Sequence, residues 1–217
     1  MSEELLAEQV EYYRRRADEY DTTAYGDVAA ARDRIARIVA KMAPRGDVLE
    51  LACGTGLWTA ALAPHAATLT AVDAAPETVA IARRRVQPHA VEFEVADVFS
   101  WTARRRFDVV FFSAWLSHVP QDRFDGFWHR LRDLLAGGGR VLFVDEPVQS
   151  REKEDWVPGT DGVVQRRLED GTTYRIVKHF LDPEVLLPRL RALGWDGRTW
   201  LDGDDFLCAE LRPVTTT

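Results

Sequence analysis

Cysteine is nearly absent: Cys53 and Cys208 are the only two in 217 residues, too few for a disulfide framework and without metal-ligand spacing. No apolar run approaches the roughly 18 uninterrupted residues of a membrane span. The N-terminal MSEELLAEQVEYYRRR is charged where a signal-peptide core would be apolar. Internal repeats and low-complexity tracts are missing too, which excludes solenoid and linker architectures. Positive charge is in deficit, with 28 Lys and Arg against 35 Asp and Glu for a net −7, so a phosphate-backbone partner is not expected. What is present is 46% hydrophobic and 29% charged residues, enough apolar surface to offset chain entropy. These features imply a soluble cytoplasmic protein of one domain spanning 1–217, without nucleic-acid or membrane partners and with no indication of its oligomeric state.

The first forty residues have helical spacing, with Leu5, Leu6 and Val10 on one helix and Ile35, Ile38, Val39 and Met42 on another that Pro44 ends. From Asp47 the period changes. Short apolar runs at 47–52, 68–73, 91–96, 107–113 and 140–145 alternate with helical stretches, the pattern of a doubly wound parallel α/β sheet. After Asp145 a polar loop leads to a hairpin over 163–180, then a helix, then two strand-like pieces that close the sheet with an antiparallel pair. The expected fold is a Rossmann-like sheet of about seven strands, with residues 1–43 as a helical lid and 147–181 as an inserted hairpin cap.

The first strand runs into Glu50-Leu51-Ala52-Cys53-Gly54-Thr55-Gly56-Leu57-Trp58. A strand-to-helix turn with two glycines lets backbone approach a ligand closely. A dinucleotide fingerprint needs a third glycine where Thr59 stands, and a phosphate loop needs Gly-Lys-Ser/Thr, which is missing. A nucleoside with an amino-acid tail is the third reading, and Glu50 favours it because a carboxylate there repels phosphate and welcomes a cation. Asp73 ends the second strand, where a carboxylate can accept both ribose hydroxyls. Asp97 follows the third, placed to accept from an adenine amino group. Acids after strands also cap helices, so either one alone decides little.

Together, Val48–Thr59, Val72-Asp73, Ala96-Asp97-Val98, Phe107–Ser113 and Leu131–Phe143 resemble the class I S-adenosylmethionine-dependent methyltransferases, in that family's order. The resemblance implies S-adenosyl-L-methionine as cofactor. It also implies that Glu50, Gly54 and Gly56 hold the methionine portion, Asp73 the ribose, and Asp97 with the Val98 backbone N–H the adenine. Tyr12, Tyr13, Trp58 and Ser113 complete that expected cofactor set, whereas Cys53 reads as packing.

On the acceptor side, Ser113-Ala114-Trp115-Leu116-Ser117-His118 follows the fourth strand, at the sheet's ligand-binding edge. His118 can be a general base, a donor to a substrate oxygen or a capping histidine, and Trp115 can wall the pocket. In the hairpin, a three-residue loop ending in Gly171 separates the faces best. One face then carries Val164, Arg166, Leu168, Thr172, Tyr174, Ile176 and Lys178. Two cations on an apolar face need anions. Internal acids of 146–155 could supply them, or a substrate could. The chain resembles, more narrowly, phosphonate O-methyltransferases, through Tyr12-Tyr13-Arg14, Trp115, His118-Val119-Pro120 and Arg175-Ile176-Val177-Lys178. That resemblance implies Tyr25, His118, Arg166 and Lys178 around an anionic acceptor. The expected function is O-methylation of a small phosphonate or carboxylate in natural-product biosynthesis, with His118 as the catalytic candidate and no metal. A quinone, phenol or polyketide-like acceptor is the alternative, and a non-catalytic cofactor-binding module the third.

Overall fold

Strands buried on both faces leave no room for polar alternation, and β1 (Asp47–Leu51), with four successive buried positions, is of this kind. The computed structural model describes residues 2–214; Met1 and 215–217, the outer ends of the expected single domain, lie outside the described residues. Strands β2 (Thr68–Asp73), β3 (Glu92–Val95), β4 (Phe107–Ser113) and β5 (Leu135–Asp145) run parallel to β1. With the antiparallel β8 (Trp195–Asp202) and β9 (Phe206–Pro213) they form a seven-stranded sheet of order β3-β2-β1-β4-β5-β9-β8. The order reverses between β1 and β4, so a crevice opens outside their carboxyl ends.

Side-chain parity assigns two layers. Val48 of β1 and Phe111 of β4 face helices α3 (Val28–Met42) and α4 (Leu57–Leu62), packing with Ile35, Trp58 and Leu62. Leu49, Leu51 and Phe112 face α6 (Gln121–Leu134), where Phe112 and Phe143 stack with centroids 5.2 Å apart beside Trp128. Helices α5 (Pro76–Arg85) and α7 (Pro183–Ala192) complete the crossovers. Two strands are longer than the apolar runs suggest. β5 starts at Leu135 rather than Arg140, because a register shift opposite Phe107 and Val109 absorbs Gly137 and Gly138; β8 starts at Trp195, whose ring fills the α6 layer.

The N-terminal segment folds as α1 (Glu3–Arg15), α2 (Tyr20–Tyr25) and α3, the last capped by Asp27, whose carboxylate accepts Ala29 and Ala30 N–H at 3.0 Å. Strands β6 (Val163–Arg167) and β7 (Thr173–Val177) form a separate hairpin. Val164 pairs with Ile176 and Arg166 with Tyr174; the three-residue loop ends in Gly171 at φ +87°, the register expected from parity. One face, with Val164, Leu168 and Ile176, buries against Tyr12. The opposite face is apolar at its base, where Leu5 covers Val163 and Val177.

Helix α1 also covers the hairpin's free edge: Glu8 Oε1 accepts Arg175 N–H at 2.5 Å and Gln9 Oε1 accepts Val177 N–H at 2.9 Å. Among the described residues no helix is long and apolar enough to cross a membrane.

Candidate functional site

At the switch point a cavity of about 440 Å³ opens between the strand ends and α1. One end is lined by Gly54, Asp73, Asp97 and Val98, the other by Ser113, Trp115, His118 and Tyr13. Ala52 and Ala114, which leave β1 and β4 with positive φ (+54° and +46°), turn the backbone sharply beneath it. Side chains of Glu3, Leu6 and Val10 roof the cavity, so α1 is wedged between it and the hairpin.

Gly54 has φ +53° and nothing within 4 Å of where a Cβ would lie, an open cradle facing the cavity. Gly56 serves packing instead: a Cβ there would meet Ala82 of α5 at 2.7 Å. Asp73 accepts the Gly54 N–H and the Ala75 N–H, each at 2.8 Å, and so ties the glycine turn to β2. Burial raises its carboxyl above the usual range, while those backbone donors pull the other way. Asp97 is exposed and accepts Phe99 N–H at 2.9 Å through one oxygen.

Glu50 lies one layer deeper. Parity points it toward the α3–α4 side, where it is 1% exposed and neither carboxylate oxygen has a hydrogen-bond partner among the described residues. Burial pushes its carboxyl up to about 8 against the opposing pull of the Thr59 hydroxyl beside it, and Asp73's negative charge adds a smaller push. A buried acid without a partner beneath an open glycine turn has the chemistry to take a cationic group. The donor set therefore fits a nucleoside with an ammonium tail better than a phosphate.

His118 is 5% exposed and its tautomer is determined by its neighbours. Nδ1 stands 2.6 Å from the Val177 carbonyl, which can only accept, so the proton is on Nδ1. Burial, then Lys178's charge, hold the ring well below the usual imidazole value and therefore neutral. Nε2 thus carries a lone pair and accepts the Tyr13 hydroxyl at 2.8 Å. The expected role of His118 as donor to a substrate oxygen is not available in this arrangement; the Nε2 side can only accept.

Several expected residues lie off the cavity. Trp58 packs on Phe111 and Phe206 in the α3–α4 layer, buried away from the cleft, and its Nε1–H donates at 3.2 Å to the hydroxyl of the half-buried Tyr25, which does not line the cavity. Helix α4 starts at Leu57, and this orientation follows from the two-residue offset to the glycine turn. Tyr12 faces the hairpin, one position round the helix from Tyr13. Arg166 and Lys178 share a hairpin face, but each meets an internal acid: Arg166 Nη2 is 2.6 Å from Glu154 and Lys178 Nζ 3.1 Å from Glu146.

Other residues were not singled out from the sequence. Thr55 of the glycine turn donates to Asp21 of α2 at 2.6 Å, and Arg85 of α5 pairs with that same Asp21, fastening α2 to the turn. Asp145, 2% exposed, accepts Ser117 N–H at 3.1 Å and so holds the His118 loop. An acid ending the fifth strand was the available signal for Asp145; the Asp21 contact has no local signature.

Residues 48–139 match a methyltransferase-domain family model. The fold superposes on a solved DhpI–SAH complex with TM-score 0.86 at 41% identity over 100% of both chains. It superposes equally on a DhpI–SAM–HEP complex, at 41% identity over 98% of this chain and 100% of that one, TM-score 0.86. Nodulation protein S of Rhizobium tropici is 29% identical over 56% of this chain, which spans about half that relative's length (52%). A ubiquinone biosynthesis O-methyltransferase of Klebsiella pneumoniae is 26% identical over 78% of this chain and 67% of its own.

Proposed function

This chain belongs to the S-adenosylmethionine-dependent methyltransferase family, and from that premise we propose that it methylates an oxygen of a small anionic acceptor, foremost a phosphonate. The observation that carries the reading is the pair of cations, Arg166 and Lys178, on the one hairpin face that turns inward, behind His118 and Tyr13. The 41% identity to DhpI, solved with SAM and HEP, supports it.

When bound, S-adenosylmethionine supplies an electrophilic methyl on a sulfonium. In this reading Gly54 and Glu50 hold the amino-acid tail, Asp73 accepts from the ribose hydroxyls, and Asp97 with the Val98 N–H reads the adenine. Ser113 and Trp115 line the stretch between those groups and His118. The acceptor oxygen forms its bond to the methyl carbon as the carbon–sulfur bond breaks, the electron pair leaving with sulfur.

A phosphonate oxygen is already ionised near neutral pH, so the protein's work is orientation and exclusion of water. Arginine's planar fork suits two oxygens and lysine adds a compact charge. Tyr13, held by His118, limits the space at the reacting end. Residues 1–43 act as the lid and 147–181 as the cap of a single domain. Tyr25, held by Trp58, acts as a strut of that lid.

One observation favours a phenol or quinone-type acceptor as the second reading. The neutral His118, whose Nε2 accepts the Tyr13 hydroxyl, is placed to take a proton relayed through that hydroxyl from an acidic O–H. The ubiquinone-pathway relative is in keeping with it. Methyl transfer from labelled S-adenosylmethionine to a panel of phosphonates, carboxylates and phenols separates the two. Turnover of phosphonates that falls in Arg166→Ala and Lys178→Ala supports the first. Rapid methylation of an uncharged phenol, indifferent to both substitutions, overturns it.

A further inference from the structure

The hairpin cations pair with two acids from opposite ends of one loop, and the buried Asp145 also acts electrostatically on Lys178. Backbone bonds pin that loop at both sides: Val148 N–H donates to Leu181 O at 3.1 Å, and Gln165 N–H to Asp155 O at 2.8 Å. Glu146 stands at the first anchor against Lys178, and Glu154 at the second against Arg166. Each pair is half-buried: the Lys178 side chain is 1% exposed against 37% for Glu146, and Glu154 is 5% exposed against 30% for Arg166. The pairing is also incomplete. Arg166 donates to Glu154 through one nitrogen only, and the second oxygen of Glu154 is buried without a partner among the described residues. An arginine fork that can bind two oxygens at once is thus half used.

We propose that Glu146 and Glu154 are specificity-determining residues: they occupy the cations as internal competitors, so that only an anion engaging both cations displaces them. This rests on the reading of Arg166 and Lys178 as the acceptor's anion site. A monocarboxylate that enters exchanges one carboxylate for another, gains no bond and loses its translational freedom. It is therefore rejected. A phosphonate presents three oxygens and up to two negative charges on one centre. It can fill both bonds of the Arg166 fork and meet Lys178 together, which the separate glutamates do not. Both cations act electrostatically on the same His118 ring, so they converge on one locality. The competitors thus turn a general anion site into one selective for tetrahedral dianions.

The test is calorimetric titration of the full chain, loaded with S-adenosylhomocysteine, with methylphosphonate and with acetate at pH 8.5. Wild-type protein is expected to bind methylphosphonate at least roughly fivefold more tightly than acetate, the upper scale of one solvent-accessible charge pair. The double variant Glu146→Gln, Glu154→Gln keeps the side-chain shapes and removes the competing charge. Its acetate affinity should rise by about fivefold, narrowing the ratio. Glu154→Asp, which keeps the charge but shortens its reach to Arg166, should move the ratio the same way and serves if the double variant does not fold. Weaker binding of both probes by the glutamine variants would overturn the proposal, since the glutamates would then be orienting the cations. An unchanged ratio would overturn it too. Arg166→Ala with Lys178→Ala separates this from the parent reading. If that variant binds methylphosphonate as wild type does, the anion site itself is wrong. If it loses binding while the glutamine exchange moves nothing, only the competitor role fails.

Discussion

Replacing Glu50 by glutamine should stabilise the ligand-free protein and weaken its cofactor binding at the same time. Its carboxyl is 1% exposed, has no hydrogen-bond partner of good geometry among the described residues, and is pushed by burial, against the Thr59 hydroxyl, from the ordinary 4.5 to about 8. In the unfolded chain the proton leaves near pH 4.5, in the folded protein near 8. Between those values only the unfolded state gains the ionised form. Stability therefore falls as pH rises from about 4.5 to about 8, by roughly 1.4 kcal/mol per pH unit, and levels off above. At pH 8 this amounts to on the order of 4 kcal/mol, which glutamine avoids because it has no charge to desolvate.

At about 2–4 °C per kcal/mol for a chain of this size, Glu50→Gln should melt roughly 10 °C higher at pH 8 and within a degree or so of wild type near pH 4.5. With S-adenosylmethionine the order reverses in affinity. The ligand's ammonium gives the carboxylate a partner, and losing a charge-assisted bond of about 1.5–3 kcal/mol weakens binding roughly 10- to 150-fold. Binding to wild type at pH 7 should also release a proton from Glu50. Calorimetry in buffers of different ionisation enthalpy detects that release, which the variant lacks. A variant that melts lower than wild type at pH 8 without ligand, or that binds the cofactor unchanged, would refute the assignment of Glu50 as the latent partner of a cation.

Asp73→Asn should weaken S-adenosylmethionine by about 10- to 100-fold in calorimetry, because one amide hydrogen-bonding face then opposes the Gly54 or Ala75 N–H that the carboxylate now accepts. Tyr13→Phe leaves the buried Nε2 of His118 without its donor and should lower the melting temperature by roughly 2–10 °C, with a larger fall in turnover for phenols than for phosphonates. Amide exchange over residues 3–25 should slow when cofactor and acceptor analogue are added together, since α1 and Tyr20 of α2 line the cavity and the exposed Arg14–Glu77 pair links α1 to α5; equal exchange in both states would remove the lid role.

The parallel sheet was legible because its signal is local. Strands buried on both faces leave continuous apolar runs, and the bounds of β2 and β4 coincide with theirs. The hairpin register was legible for a similar reason: only the loop ending in Gly171 separates its faces. The cavity's acids at β2 and after β3 were found by position along the sheet, which topology makes reliable. The layers that Trp58 and Tyr12 enter were not, since only rotation about the helix decides which layer each residue meets. One residue of offset, about 100° on a helix, separates Tyr13 in the cavity from Tyr12 on the hairpin.

Charge partners were the least legible part, because each joins elements far apart in the chain. Two cations on an apolar face demand anions, and that demand could be read from parity alone; who answers it could not. In the ligand-free fold the answer is Glu146 and Glu154, from a loop whose sequence is polar and otherwise featureless. The same holds for Asp21, which joins Thr55 of the glycine turn to Arg85 and thereby ties α2 to that turn. Such contacts are invisible to periodicity, yet in the proposal above they set what the site accepts. The fold is one that this chain shares with solved methyltransferase structures. Discrimination must therefore come from the pieces laid over it, and in this chain those pieces are α1, the hairpin and the loop between two glutamates.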